Sequence, residues 1–160
     1  MPTRRLFVLA ALALLWPASP ARADTAADTL HALNAARAAH GVAALRKDAR
    51  LARAARGHSR DMVANGYFEH VSPGGQGLRE RVSHTGWTRH RPRWRLAENI
   101  GWGTGSLATP QAIVNAWLNS PAHRRILLSR GLRLVGIGGN RVVAGQVWAA
   151  WERSRGGRGR

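Results

Sequence analysis

Apolar and polar positions alternate along this chain with the period of a helix through most of its length. From Thr25 to His40, Leu30, Leu33 and Arg37 lie on one side of an alanine-rich background that favours helix. Gly41 is suited to the position just past a helix end, and Val42 and Leu45 are expected to tuck inward after it. Asp48 is a fitting N-cap for a second helix running to about Ala64. Its apolar stripe is Leu51, Ala55, His58 and Met62, so His58 reads more readily as a satisfied core histidine than as a ligand. Arg50, Arg53, Arg56 and Arg60 recur every three or four residues and form a solvated or anion-facing side. Asn65-Gly66 ends the pattern.

Leu78 and Val82, four residues apart, predict a short third helix. Thr109-Pro110 and Ser120-Pro121 each pair an N-cap residue with proline in the first helical position. Ile113, Ala116 and Trp117 then give one apolar face, and Ile126 to Leu128 continue the next. Leu132 to Gly138 and Val142 to Trp151 read as strands, with Gly139-Asn140 as a hairpin turn.

The two ends follow other rules. Arg4-Arg5, an uncharged run from Leu6 to Trp16, and the small-x-small triplet Ala21-Arg22-Ala23 have the three-part pattern of a secretory leader. Cleavage is expected after Ala23, leaving 137 of the 160 residues. The alternative, an uncleaved anchor, is disfavoured because the run falls short of the roughly 20 residues that span a bilayer. No later apolar stretch is long enough to cross a membrane. A single domain is expected over 24–152, and a disordered Arg/Gly-rich tail over 153–160. These features predict an exported protein, periplasmic or extracellular. With no cysteine, its stability must rest on packing.

The formal charge is +17; Arg4, Arg5 and Arg22 leave with the leader, and the rest carries +14. Such a charge favours anionic partners: acidic envelope polymers or lipid headgroups. A dedicated nucleic-acid partner is not expected, because no recognised motif is present and the chain is exported. Trp87 and Trp94 bracket a basic loop, Thr88 to Arg95, that reads as an ordinary polar loop or as a contact for an anionic surface.

Candidate chemistry centres on Asn65 to Pro73. Tyr67 and Phe68 supply aromatic anchors, and His70 is expected to face inward while Glu69 faces away. Glu98 sits among apolar neighbours, a costly place for a carboxylate unless it is paired or holds a cation. His123 falls in the first turn of a helix, whose positive end favours the neutral imidazole that binds metal. Glu80 either faces the cleft or pairs with an arginine. Trp102 to Ser106 is glycine-rich but lacks the spacing of a phosphate cradle.

Six pieces occur in one order: Leu33-Asn34-xx-Arg37 with Gly41, Ala54 to Met62, YFEHVSP at 67–73, AENIGWG at 97–103, WLNSPAHRRIL at 117–127 and LVGIGG at 134–139. Together they resemble the CAP superfamily, or SCP domain, in its short bacterial branch. The resemblance implies an α+β fold, a three-layer α-β-α sandwich around a small, mainly antiparallel sheet. It also implies a central cleft able to hold Zn(2+) or another divalent cation, with His70, Glu98 and His123 as matching positions and Glu80 as a further cleft acid. The cysteines and the HYTQ-type strand of eukaryotic members are absent, so their lipid binding does not carry over.

Three functions follow as expectations. The first is a non-enzymatic binding module engaging an anionic or lipidic envelope component. The second is a metal-assisted hydrolase of peptide or cell-wall material, with Glu98 or Glu80 as base. The third is a structural envelope protein. No nucleophile motif such as GxSxG is present, so no catalytic residue is assigned and binding is preferred.

Overall fold

The computed structural model describes residues 25–139 and 143–150. The leader at 1–23, the tail at 153–160, and residues 140–142 with the Asn140 half of the turn lie outside the described residues. Among the described residues five α-helices and four strands follow in the order α1 (Thr25–Ala39), β1 (Arg46–Lys47), α2 (Ala49–Asn65), α3 (Leu78–His84), β2 (Arg95–Trp102), α4 (Pro110–Asn119), α5 (Pro121–Leu127), β3 (Leu134–Gly139) and β4 (Val143–Ala150). A short 3-10 turn, Gly105–Ala108, precedes α4.

Sequence-encoded caps set several of these boundaries. The Asp48 carboxylate accepts from the backbone N–H groups of Arg50 and Leu51, at 2.9 and 3.0 Å, and its other oxygen accepts from Trp87 Nε1 at 3.1 Å. At the far end of α2, Gly66 takes the left-handed conformation, φ 64°, that closes a helix without a Cβ clash. Thr109 caps α4 through its hydroxyl, 3.2 Å from Ala112 N, with Pro110 in the first turn. Ser120 departs from the expected pattern. It occupies the cap position of α5, but its hydroxyl bonds the His123 ring at 2.9 Å instead of a backbone N–H.

The sheet order is β1-β3-β4-β2. β1 runs parallel to β3, and β4 is antiparallel to both β3 and β2, so the sheet is small and mainly antiparallel as expected. β2 was not legible as a strand in the sequence, nor was β1. β2 forms one edge of the sheet, paired with β4 from Arg95↔Ala150 to Trp102↔Val143.

Side chains alternate across the sheet and build two cores. On one face Val135 and Ile137 of β3 pack with Leu33 of α1, Val114 and Trp117 of α4, and Leu127 of α5. On the other face Leu134 and Leu96 pack with Leu51 and Ala55 of α2, Val82 of α3, and Trp87. Trp87 is therefore a core residue and not a surface contact of the basic loop. Trp94 is half-buried against the same core, with the Arg79 guanidinium 4.7 Å from its ring centre.

Two glycines bring α2 unusually close to the sheet. A Cβ on Gly136 would lie 2.1 Å from the carbonyl carbon of Leu51, and one on Gly138 would lie 2.2 Å from that of Ala55. The LVGIGG segment thus lets helix backbone rest directly on strand backbone.

The loop between α1 and β1 is clipped from both sides. Asn34 Oδ1 accepts from Leu45 N at 2.8 Å, and its amide donates to Leu45 O at 3.1 Å. Arg37, fully buried, donates to the carbonyls of Ala43, Leu127, Ser129 and Leu132. The helix, sheet and second helix layers match the expected three-layer sandwich.

Candidate functional site

Glu98 lies in the middle of β2, on the same strand face as Leu96 and Ile100, and so faces α2 and α3. Its side chain is 3% exposed. α3 delivers the partner: Arg81 follows Leu78 by three residues and therefore shares its inward face. Arg81 Nη2 lies 3.0 Å from each Glu98 oxygen, while Nη1 donates to the carbonyls of His70 at 2.9 Å and Gln76 at 3.0 Å. Arg81 Nε is buried without a partner among the described residues.

His70 meets the same carboxylate. Its Nδ1 is 2.8 Å from Glu98 Oε2, and its side chain is 51% exposed. The ring therefore lies at the rim above Glu98, not deep inside. The hydrogen bond to Glu98 raises its pKa, against the opposing effect of burial.

The segment that positions His70 is pinned by Tyr67, whose ring packs against Met62 and Ile100. The Tyr67 hydroxyl donates to Asp61, and burial followed by that contact pushes its pKa up to about 12. Phe68, by contrast, is exposed. His58 is the satisfied core histidine expected: 2% exposed, with Nε2 donating to the Glu69 carbonyl at 2.9 Å. Burial first, and the Arg81 charge next, push its pKa down.

Asn99 projects to the opposite face from Glu98 and donates to the His123 carbonyl at 3.1 Å. His123 Nδ1 is held by Ser120 Oγ. Burial lowers the pKa of His123, and the His70 charge adds to the effect. The direction agrees with expectation. Glu80 does not line the groove and forms no ion pair with arginine among the described residues: its carboxylate turns back to accept from Gly77 N at 3.1 Å, at the start of α3.

The expected trio therefore assembles in part. His70 and Glu98 are in contact, and His123 is near enough to sense the His70 charge. No group of three or more His, Cys, Asp or Glu residues among those described is arranged to hold a metal ion. Arg81 engages both Glu98 oxygens, which leaves Glu98 suited to orient His70 rather than to ligate. Two imidazoles remain as candidate donors, each with Nδ1 anchored. With Nδ1 protonated, Nε2 is the metal-binding atom. Arg81 is the residue that the sequence reading missed. Its three-residue spacing from Leu78 was the available signal.

A groove of about 920 Å³ opens beside this site. Arg53, Gly57, His58 and Asp61 of α2 form one flank, and Gln76, Arg81 and His84 contribute to the other. Arg81 lines it, whereas His70, Glu98 and His123 do not. Gly57 is exposed in the middle of α2, and a Cβ there would meet nothing within 4 Å. Glycine in a helix interior costs about 1 kcal/mol relative to alanine, and here no packing contact requires it.

The family model for the cysteine-rich secretory protein family, CAP, matches residues 30–150. The membrane protein YlbC of Bacillus subtilis (strain 168) is 36% identical over 108 residues, covering 68% of this chain and 29% of YlbC. YkwD of the same organism is 32% identical over 115 residues, covering 72% of this chain and 41% of YkwD. The chain thus spans less than half the length of either relative. A crystal structure of an extracellular protein containing a SCP domain from Bacillus anthracis str. Ames superposes with a TM-score of 0.69 at 28% identity, covering 78% of this chain and 39% of that one. No helix among the described residues is long and apolar enough to cross a membrane. From the ordered motifs through the sandwich to the match over 30–150, the chain belongs to the cysteine-rich secretory protein (CAP) family.

Proposed function

We propose that this CAP domain is an exported, non-enzymatic binding module that engages an anionic or lipidic component of the cell envelope. Export is supported by the leader pattern at 1–23 and by likeness to an extracellular SCP-domain protein. The anionic partner is supported by the charge of +14 outside the leader.

Binding is favoured over hydrolysis by one feature: Arg81 holds both oxygens of the buried Glu98. A carboxylate so paired is a poor general base. Glu80, the other candidate base, is engaged with Gly77 N.

Within this reading, His70 and His123 would supply imidazole donors to a divalent cation such as zinc, with Glu98 orienting His70. A bound cation would supply a fixed positive charge at the cleft rim. Calorimetric titration with zinc at pH 7.5 tests the site. Wild type should give a single-site isotherm, and His70→Ala and His123→Ala should each weaken it by about tenfold or more. Equal, negligible heats in all three proteins would remove the cation from the reading. Incubation with envelope polymers, with and without chelator, tests the preference for binding. Chelator-sensitive products that vanish in the double variant would overturn it.

A further inference from the structure

We propose that the groove beside α2 is a second binding site, taking one extended strand of an anionic polymer whose units carry carboxylate or phosphodiester groups. The proposal rests on the binding reading above but not on the imidazole pair, since neither His70 nor His123 lines the groove.

Shape is the first observation. The α2 flank of the groove runs from Arg53 to Asn65, about 18 Å at the rise of a helix. Its volume of about 920 Å³ stands at the upper end of ordinary ligand pockets. Such dimensions suit a strand laid along the helix.

Gly57 is the second. It sits between Arg53, one turn before it, and Arg60 and Asp61, one turn after. A side chain there would extend from a groove-lining position into open space. The helix carries an unfavourable residue where a ligand would need room.

Chemistry is the third. Of the four arginines of α2, Arg53 lines the groove, opposed there by the single aspartate Asp61. Asp61 is already engaged, accepting from Tyr67 and from Asn65 Nδ2 at 2.7 Å. Arg53 has no hydrogen bond or ion pair among the described residues. His84 Nδ1 accepts from Gln76 Nε2 at 3.3 Å, which leaves Nε2–H as a donor. Donors thus predominate over free acceptors.

The described lining includes no large apolar side chain, and the exposed Trp102 and Leu107 are not part of it. An acyl chain would find no large apolar side chain to pack against, which favours a polymer over a lipid.

The test uses the full exported chain. Affinity is measured for tetragalacturonate (carboxylate), short-chain polyphosphate (phosphate), maltotetraose (neutral) and phosphatidylglycerol vesicles. Wild type should bind at least one anionic oligomer and not the neutral one; the better anionic probe identifies the charged group. Gly57→Leu, which leaves the net charge unchanged, should weaken that binding about tenfold or more. Gly57→Ala should weaken it about threefold while raising the Tm by about 3 °C, opposite signs that damage to the fold cannot produce. Arg53→Gln should lower the slope of log affinity against log salt by about one.

Three results would overturn the proposal. Gly57→Leu and Gly57→Ala binding like wild type would mean diffuse attraction to the basic surface, with the proposed function intact. Binding to vesicles alone would make the partner a lipid. No binding to any anionic probe would remove the anionic partner from the proposed function as well.

Discussion

Arg37 on α1 and Arg81 on α3 are both buried, on opposite sides of the sheet, and they differ in what receives their hydrogen bonds. Arg37 donates to four backbone carbonyls drawn from two distant stretches, 43 and 127–132. Burial, with the nearby Arg133 charge, brings its pKa down to about 10, so it remains charged at neutral pH. Arg81 instead grips a carboxylate, and that carboxylate in turn holds a half-exposed histidine. A buried cation on carbonyls fastens chain segments. A buried cation on a carboxylate fixes a titratable group at a cleft rim.

The largest expected effect separates the two. Arg37→Met should cost about 4 kcal/mol in urea unfolding, because it leaves several buried carbonyls without a donor. Its folded fraction should bind zinc and polyanion as wild type does. Loss of either binding at full folding would break the distinction.

Arg81→Met should cost somewhat less, about 3 kcal/mol, by stranding the buried Glu98 without its cation. Adding Glu98→Gln should recover a good part of that loss. If the double variant were no more stable than the single, Arg81 would be a fastener of the Arg37 kind.

The smallest effect is a pH dependence at His70. Its pKa is raised in the folded state, so its stabilisation is fully present below the unfolded value of about 6.5 and disappears as pH rises through the folded value. His70→Gln should therefore be less stable than wild type near pH 5 and equal to it near pH 8. The difference should stay under about 1 kcal/mol, because the ring is half-exposed and screened. A constant difference across that range would show that the Glu98 contact does not depend on the imidazole proton.

The parts of this architecture legible in the sequence are those whose signal is local. Asp48, Gly66 and Thr109-Pro110 each set a helix boundary through atoms within a few residues, and the motifs in order gave the family fold. β2 was missed because both its faces are buried. Glu98 and Asn99 are adjacent polar residues that find partners on opposite layers, at Arg81 and His123, so no apolar alternation marks the strand. The contact of His70 with Glu98 followed from the family resemblance, while the hold of Arg81 on both Glu98 oxygens was not foreseen. Gly57 was silent, because a missing side chain leaves no mark on a hydrophobic pattern.

Gly136 and Gly138 act on a surface they never touch. By seating α2 on β3 with no side chain between them, they set how far the adjoining flank of that helix stands from Ser72 to Gln76 across the groove. A single methyl at either position would act as a shim, levering the arginine ridge outward. The width of the slot is gauged from beneath the helix, by two atoms that are not there.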